Sequence, residues 1–393
     1  MPDTAQAAGS DGDRTLVLYS KLAFYPVHWR ALEEIVRRYE ARAVVLAAPP
    51  PELSTVHQAH GTADPARSED LPIEVRRMPR GSRWKRVAWL AHELYDVSPD
   101  TIWVQEEPYD PFLLEILLLY RFSPSRPRIV TAVCDNLFFR PRFAEELAHR
   151  LLWPRLDGLM PVAAPSLEGI RLAGMPDSVP AGRLVAGGLE PEGEVEPLDL
   201  PFERRADDFV IGYAGNLTDQ KGWKVLVRAI ELLPPTCRLV VAGDGPQVDE
   251  LRERLAAPSL AGRAFYLGLL PKERLWGFYR ALDCLVVPSV TTPRLKEQSP
   301  SVLFDGLAMG VPVVAAASGG IPDVMGPAGI LVQEDDPEAL AEAIERLARD
   351  ESLRARLSAA GRERFTAEFA IPVYADKIAA VLGLLPRSLA STR

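Results

Sequence analysis

The stretch VIGYAGNLTDQKGWKVLVRAIELLPPTCRLVVAGDG, residues 210–245, contains the pattern that decides the fold. A continuously apolar run at residues 210–214 is followed by an amphipathic stretch at 223–233 and by a second, mostly apolar run at 238–242. Apolar runs that alternate with amphipathic helices are typical of a parallel sheet covered by helices on both faces. We therefore predict a β-α-β unit here.

The same alternation extends over most of the chain. Further runs that we predict as strands lie at residues 264–267, 284–287, 311–315 and 329–332 downstream, and at 15–19, 43–47, 101–104 and 128–133 upstream. Amphipathic or apolar stretches between them predict helices, among them 112–120, 248–255, 273–281 and 302–309. We predict an α/β protein with two Rossmann-like parallel-sheet domains that face a cleft.

A segment rich in proline and charge, residues 190–208, separates the two halves and is typical of an interdomain linker. We predict a first domain over residues 1–195 and a second over 196–370. The remaining segment, 371–393, is expected to form an amphipathic helix that packs back on the first domain. Asp336-Pro337 predicts a helix start, because Asp caps helices and Pro suits the first helical position.

Composition excludes several classes of protein. The chain has 393 residues with 45 Lys and Arg against 54 Asp and Glu, a net charge of −9 that argues against a general nucleic-acid binder. No apolar run approaches the roughly 20 residues of a membrane span, and the first residues lack a signal-peptide pattern. The three scattered cysteines form neither a disulfide framework nor a zinc site, so we expect a cytoplasmic protein. The oligomeric state stays open.

The first candidate binding loop follows the strand at residues 210–214. It reads AGNLTDQKG, in which Gly215 permits a tight turn and Lys221 stands beside the start of a helix. A cation together with free backbone amides makes an anion site suited to a diphosphate. A surface lysine beside a turn glycine is the plainer alternative.

The second candidate lies in KEQSPSVLFDGLAMG, residues 296–310. Glu297 precedes a predicted helix, and Asp305 lies within it among apolar residues. Carboxylates accept hydrogen bonds from sugar hydroxyls, and the first amides of the helix, near Ser301 and Val302, could meet a phosphate. A capped helix preceded by a solvated acid is the alternative, although a carboxylate among apolar residues needs a partner.

Together these segments resemble the nucleotide-sugar-binding domain of GT-B glycosyltransferases, specifically the retaining family 4 group. The resemblance covers residues 209–370, whereas the first half matches only in its α/β pattern and in QEEP, residues 105–108. The matching motifs run in order, at AGN…QKG (214–222), VVAGDGP (240–246), YLG (266–268), L…YRALD (275–283), VPS (287–289), E…DGLAMGVPVV (297–314) and GGIPDV (319–324).

The resemblance implies a role for each matching residue. Lys221 and Glu297 would be the catalytic pair, Lys221 holding the donor diphosphate and Glu297 touching the donor sugar. Asp305 would contact the ribose. The other implied positions are Gly215, Asn216, Leu270, Gln298, Ser301 and Val302 in the donor site, with Leu270 near the base, and Asp135 and Asn136 on the acceptor side.

Several residues depart from the family pattern. Asn216 stands where the family usually has Arg, a charge for which Arg294 and Lys296 are the candidate replacements, and Pro300 removes a backbone amide. Asp305 stands in place of Glu, which shortens its reach to the ribose. The first N-terminal loop, residues 20–26, lacks the usual glycines, and Cys134-Asp135-Asn136 replaces a histidine that often follows the fifth N-terminal strand. These departures bear on donor identity and, less strongly, on activity.

Metal dependence and membrane contact can also be considered from the sequence. No Asp-x-Asp motif stands at a strand end, since Asp11-Gly-Asp13 lies in the leader and Asp335-Asp336 starts a helix, so we expect no metal site and no cofactor. The segment from Arg76 to Arg86 holds six basic residues and Trp84 but no acid. It could bind an anionic membrane surface or a phosphorylated acceptor, but we favour a solvated loop that leads into a helix.

The function predicted from the sequence is a retaining glycosyltransferase that moves a sugar from a nucleoside diphosphate sugar to an acceptor. Two alternatives stay open. One is a non-catalytic GT-B subunit that binds sugar nucleotides, and the other is a sugar-nucleotide epimerase. The sequence does not define the donor base, the sugar or the acceptor.

Overall fold

The structure of the chain, a computed structural model, describes residues 14–20, 25–47, 70–121, 126–135, 143–182, 186–293 and 296–384. It contains two six-stranded sheets, and every paired strand within them is parallel. In the described parts of the chain, helices connect successive strands everywhere except between Ala41–Ala47 and Ile73–Arg77, where most of the connection lies outside the described residues. The prediction of two Rossmann-like α/β domains is confirmed.

The first sheet has the strand order β3-β2-β1-β4-β5-β6. Its strands are Arg14–Ser20 (β1), Ala41–Ala47 (β2), Ile73–Arg77 (β3), Thr101–Val104 (β4), Arg128–Val133 (β5) and Gly158–Pro161 (β6). The accompanying helices are Pro26–Arg38 (α1), Arg83–Val97 (α2), Pro111–Leu119 (α3), Phe143–Leu152 (α4) and Ala164–Leu172 (α5).

The second sheet repeats this arrangement in the order β12-β11-β10-β7-β8-β9. Its strands are Phe209–Asn216 (β7), Cys237–Asp244 (β8), Ala264–Gly268 (β9), Cys284–Val287 (β10), Val313–Ala316 (β11) and Gly329–Val332 (β12). The helices of this half are Trp223–Leu232 (α6), Val248–Leu255 (α7), Lys272–Arg280 (α8), Ser301–Met309 (α9), Ile321–Met325 (α10), Pro337–Arg349 (α11) and Glu351–Glu368 (α12). As predicted, Asp336 caps α11, because its Oδ1 accepts a hydrogen bond from the amide of Ala339.

Each sheet has a switch point at which the strand order reverses. In the second sheet β7 pairs directly with β10, so the loops after these two strands leave the same edge on opposite sides. Ligands of open α/β sheets bind in the crevice that such a reversal opens at the carboxyl ends of the strands. In the first sheet the corresponding neighbours are β1 and β4.

The last described helix, Ile371–Leu382 (α13), lies on the first half of the chain. Its buried residues Tyr374, Ile378 and Leu382 share a core with Leu32 and Ile35 of α1. Polar contacts reinforce this packing, since the hydroxyl of Tyr39 donates to Oδ1 of Asp376 at 2.6 Å. The chain therefore crosses back from the second half to the first and lies beside the cleft.

Two strands of the first sheet were not predicted. Residues 73–77 form β3 at the sheet edge, so the favoured interpretation of the basic segment as a solvated loop is wrong for Arg76 and Arg77. Its half-exposed, charge-rich pattern is that of an edge strand, which lacks a fully apolar run. The second, Gly158–Pro161, has only four residues and ends in proline. The second-sheet strand predicted at residues 311–315 begins at Val313, after Pro312.

Candidate active site

A cavity of about 620 Å³ lies between the carboxyl ends of the two sheets. The first half, the second half and the C-terminal helix α13 all contribute walls. The lining residues that carry polar chemistry include Tyr25, His28 and Cys134 from the first half, Lys221, Lys272, Glu297, Ser301 and Asp305 from the second, and Tyr374 from α13.

Lys221 and Glu297 meet inside this cavity because their loops follow the neighbouring strands β7 and β10. Nζ of Lys221 lies 2.8 Å from Oε2 and 3.0 Å from Oε1 of Glu297. The hydroxyl of Ser289 donates to Oε2 of the same carboxylate at 2.7 Å, and Glu297 is only 5% exposed. The structure thus brings together the two residues that the sequence placed in the catalytic site.

The turn after Lys221 depends on Gly222. Its φ is +64°, and a Cβ there would lie 1.7 Å from the carbonyl oxygen of Pro288. Glycine alone tolerates both the left-handed backbone and this close approach. The contact fixes the loop that carries Lys221 against the loop that leads from β10 to Glu297.

Asp305 is paired with a residue that the sequence analysis did not identify. Nζ of Lys272 lies 2.8 Å from Oδ1 and 2.9 Å from Oδ2 of Asp305, and the hydroxyl of Tyr279 donates to Oδ2 at 3.2 Å. Asp305 is 2% exposed. Lys272 is the first residue of α8. From the sequence alone, a lysine at that position cannot be distinguished from one that is exposed to solvent.

Helix α9 points its N-terminus into the cavity. It begins at Ser301, directly after Pro300, and Ser301 and Val302 line the cavity. The first amides of a helix lack intrahelical partners and favour an anion. Tyr25, from the start of α1, forms a side-chain hydrogen bond with Ser301, and burial raises the pKa of its phenol to about 12. Sequence reasoning missed this contact between the two halves.

The remaining predicted donor residues also lie on the cavity wall. Gly215 and Asn216 end β7, Leu270 precedes α8, and Gln298 follows Glu297. Nε2 of Gln298 donates to Oδ1 of Asp135 at 3.1 Å, which joins the predicted donor and acceptor sides. Of the two suggested replacements for the missing arginine, Lys296 does not line the cavity, and Arg294 lies outside the described residues.

On the acceptor side, Asp135 accepts hydrogen bonds from Tyr109 and Gln298. Asn136 lies outside the described residues. Sequence reasoning missed Glu107, whose Oε1 accepts hydrogen bonds from the amides of Cys134 at 2.8 Å and Asp135 at 3.0 Å. Burial and, to a lesser extent, the charge of Asp135 raise the pKa of Glu107 to about 8. Glu107 belongs to the QEEP segment that the sequence analysis singled out, but no role was assigned to it there.

The cavity also contains a neutral histidine. Nδ1 of His28 lies 3.2 Å from the hydroxyl of Tyr374, and burial lowers the pKa of the imidazole to about 4. The histidine that often follows the fifth N-terminal strand is absent here, and Cys134 stands at that point. His28 therefore brings an imidazole to the cavity wall from a different element, α1.

The described residues contain no group of three His, Cys, Asp or Glu side chains that could hold a metal ion. Asp11 and Asp13 lie outside them. No helix among the described residues is long and apolar enough to cross a membrane.

The basic segment is partly neutralised. Arg76 pairs with Glu74, Glu93 and Asp96, and Arg83 pairs with Glu115. Trp84 is 83% exposed beside them. Contact of residues 76–86 with a membrane surface, the less favoured alternative, stays untested.

Comparison with known proteins finds similar sequences over the second half of the chain. Residues 199–364 match the family model described as Glycosyl transferases group 1. The 2-deoxystreptamine glucosyltransferase of Streptomyces kanamyceticus is 30% identical over 202 residues, 50% of each chain. The D-inositol 3-phosphate glycosyltransferase of Xylanimonas cellulosilytica is 33% identical over 239 residues, 59% of this chain and 53% of that protein. The chain spans about half the length of these curated relatives.

Solved structures extend the likeness in fold to nearly the whole chain. Anabaena HepE in complex with UDP has a TM-score of 0.68 at 18% identity and covers 94% of this chain and 99% of its own. The lipopolysaccharide outer core galactosyltransferase WaaB in its apo form has a TM-score of 0.68 at 14% identity, with the same coverage. At these identities the comparison shows the fold, which is the GT-B arrangement of two Rossmann-like domains.

Proposed function

We propose that the protein is a retaining glycosyltransferase with a nucleoside diphosphate sugar as donor, because residues 199–364 match the family model described as Glycosyl transferases group 1. The observation that carries this proposal is the Lys221–Glu297 pair at the switch point, beside the N-terminus of α9. A lysine and free helix amides suit a diphosphate, and a carboxylate suits sugar hydroxyls. One cavity thus offers partners to both parts of such a donor.

In the proposed reaction the nucleoside diphosphate leaves from the same face that the acceptor hydroxyl approaches. The bond from the anomeric carbon to the departing phosphate oxygen breaks as the bond to the acceptor oxygen forms. The acceptor proton passes to that phosphate oxygen, so no protein base is needed. Lys221 and the amides of Ser301 and Val302 would stabilise the charge that develops on the leaving group.

Glu297 would orient the sugar in this scheme. Its carboxylate accepts a hydrogen bond from Ser289 as well as from Lys221, so it keeps one fixed partner when the donor engages the lysine. Such preorganisation lowers the barrier, because the protein need not rearrange as the reaction proceeds.

The proposal includes a cytoplasmic location and independence from metal ions. The three cysteines, Cys134, Cys237 and Cys284, are all free, which suits a reducing compartment. The relatives named above act on 2-deoxystreptamine and on inositol 3-phosphate, both of them polyhydroxylated rings. We propose a polyhydroxylated acceptor for this chain as well.

A thermal-shift screen with UDP, GDP, ADP and TDP and their sugars, followed by assay of sugar release from the stabilising donor, tests the proposal. We expect one diphosphate to raise Tm and its sugar donor to be hydrolysed slowly without an acceptor. A protein that binds no nucleoside diphosphate contradicts the proposal. Binding without hydrolysis, or without transfer to any acceptor tried, favours the non-catalytic alternative.

A further inference from the structure

We infer that Lys272 is a specificity-determining residue of the donor site, which together with Asp305 clamps one ribose hydroxyl of the nucleotide. This inference rests on the proposed function, since it assumes that a nucleoside diphosphate occupies the cavity. Both residues line that cavity, Lys272 from the start of α8 and Asp305 from the middle of α9.

The bonding of Asp305 leaves room for one ligand contact. A carboxylate has about four lone-pair positions on its two oxygens. Lys272 uses one on each oxygen, and Tyr279 uses another on Oδ2. The remaining position lies on Oδ1, where Asp305 can accept one more hydrogen bond.

Lys272 keeps a matching donor. Its ammonium carries three N–H groups, and the two oxygens of Asp305, which lie on the same side of Nζ, can share one of them. Nζ also lies 4.2 Å from the centre of the Trp276 ring, so a second N–H faces that ring and holds the ammonium in place, while the third is left for a ligand. The pair therefore offers one acceptor and one donor side by side, both oriented before a ligand binds.

This combination matches a hydroxyl better than a phosphate or a base. A hydroxyl donates one hydrogen bond and accepts others, so it satisfies both members of the pair at once. A phosphate cannot donate to Oδ1 and would be repelled by it. The pair as a whole carries no net charge, which suits the uncharged ribose of the donor.

The lysine also explains how an aspartate can serve at this position. Asp is one methylene shorter than Glu, so its carboxylate reaches less far from the helix backbone. The ammonium of Lys272 lies against both carboxylate oxygens and extends the polar surface of the pair. We therefore regard Asp305 and Lys272 as one unit that presents both groups to the nucleotide.

A purely structural role for Lys272 predicts a different outcome. If the lysine only neutralises a buried carboxylate, its loss lowers stability but affects all nucleotides alike. If it clamps a hydroxyl, its loss matters most for nucleotides that carry that hydroxyl. The experiment is therefore a comparison of ligands as well as of variants.

The test measures binding of UDP, 2′-deoxy-UDP and 3′-deoxy-UDP to the wild type, K272M and K224M by isothermal titration calorimetry. Lys224 is the matched control, because it also pairs with two acids, Asp219 and Glu250, and lies over a tryptophan, but outside the cavity lining. GDP and its deoxy forms replace UDP if the screen selects GDP.

We expect the wild type to bind one of the two deoxy nucleotides about 10- to 100-fold more weakly than UDP, the range for leaving buried partners unsatisfied. K272M should weaken UDP binding by a similar factor and bind that deoxy nucleotide nearly as well as UDP. K224M should keep the full discrimination. The losses of affinity caused by removing the lysine and by removing the hydroxyl would then not add, which indicates that the two groups contact each other directly.

Three results overturn the inference. The first is that K272M binds UDP as tightly as the wild type does and discriminates equally well against the deoxy nucleotides. The second is that K272M loses the same factor of affinity for all three nucleotides. The third is a wild type that binds no nucleoside diphosphate, which also overturns the proposed function, whereas the first two leave it intact. If K272M does not fold, K272M/D305N removes both charges, and retained discrimination in that variant contradicts the clamp.

Discussion

Lys221 and Glu297 neutralise each other across the switch point of the second sheet, with Nζ 2.8 Å from Oε2. Lys221, the proposed partner of the diphosphate, is thus paired with Glu297, the proposed partner of the sugar. A donor must exchange at least part of this ion pair for its own contacts. The two residues are therefore coupled, and substitutions at them should affect different parts of the donor.

Lys221→Ala should weaken UDP binding by about 10- to 100-fold, because a hydrogen bond between charged groups contributes ~1.5–3 kcal/mol. Uridine has no phosphate, so its affinity should stay near that of the wild type. Calorimetric titration of both ligands gives the comparison. Lys224→Ala is the control, since Lys224 pairs with Asp219 and Glu250 instead. An equal loss for UDP and uridine would assign Lys221 a structural role.

Glu297→Gln should act on turnover more than on nucleotide affinity. The substitution removes the charge that holds Lys221 but leaves the lysine available to phosphate, so UDP affinity should stay within about threefold of the wild type. Donor hydrolysis or transfer should fall by roughly tenfold to a thousandfold, the range for one oriented polar contact. Steady-state kinetics checks this through the separate changes in kcat and KM. Full turnover in the variant would mean that the sugar does not meet Glu297.

The fold was predictable because a parallel strand buried on both faces has a distinctive pattern. Cys284–Val287, for example, is a run of four residues without a polar side chain. Edge strands lack that pattern, and Ile73–Arg77, which alternates apolar and charged residues, was missed for this reason. The loops at Lys221 and Glu297 were found because each follows a buried strand.

Side-chain partners between distant segments could not be predicted. Lys272 meets Asp305 across 33 residues, and Tyr25 reaches Ser301 from the other half of the chain. Neither contact leaves a local pattern, because it depends on how helices from different strands are arranged around the cavity. The position of His28 on the cavity wall was missed for the same reason, since an isolated histidine near a helix start is common on protein surfaces.

Donor binding should be independent of divalent metal. Lys221 and the amides at the start of α9 are the expected partners of the diphosphate, so no cation is needed to balance it. UDP at 100 times its Kd should stabilise the folded protein by about 2.7 kcal/mol whether or not EDTA is present. Thermal unfolding with EDTA, with Mg²⁺ and with Mn²⁺ checks this. Stabilisation that appears only with a metal would contradict the metal-free site.

Glu107 should make the stability of the protein depend on pH. Burial raises the pKa of its carboxyl to about 8 in the folded state, against an ordinary value of 4.5. Between these two values the folded protein holds a proton that the unfolded chain releases. The contribution of Glu107 is therefore most favourable below about pH 4.5, declines as pH rises and levels off above about pH 8.

Glu107→Gln removes this dependence, because the amide resembles the protonated carboxyl and can still accept from the amides of Cys134 and Asp135. We expect the Tm of the variant relative to wild type to rise steadily between pH 5 and pH 8. Asp135→Asn is the informative companion, since the charge of Asp135 helps to raise the pKa of Glu107. In the Asp135→Asn background the pKa of Glu107 should be lower, so the difference in Tm caused by Glu107→Gln should stop rising at a lower pH. A difference in Tm that stays constant from pH 5 to pH 8 would show that Glu107 is ionised in the folded protein.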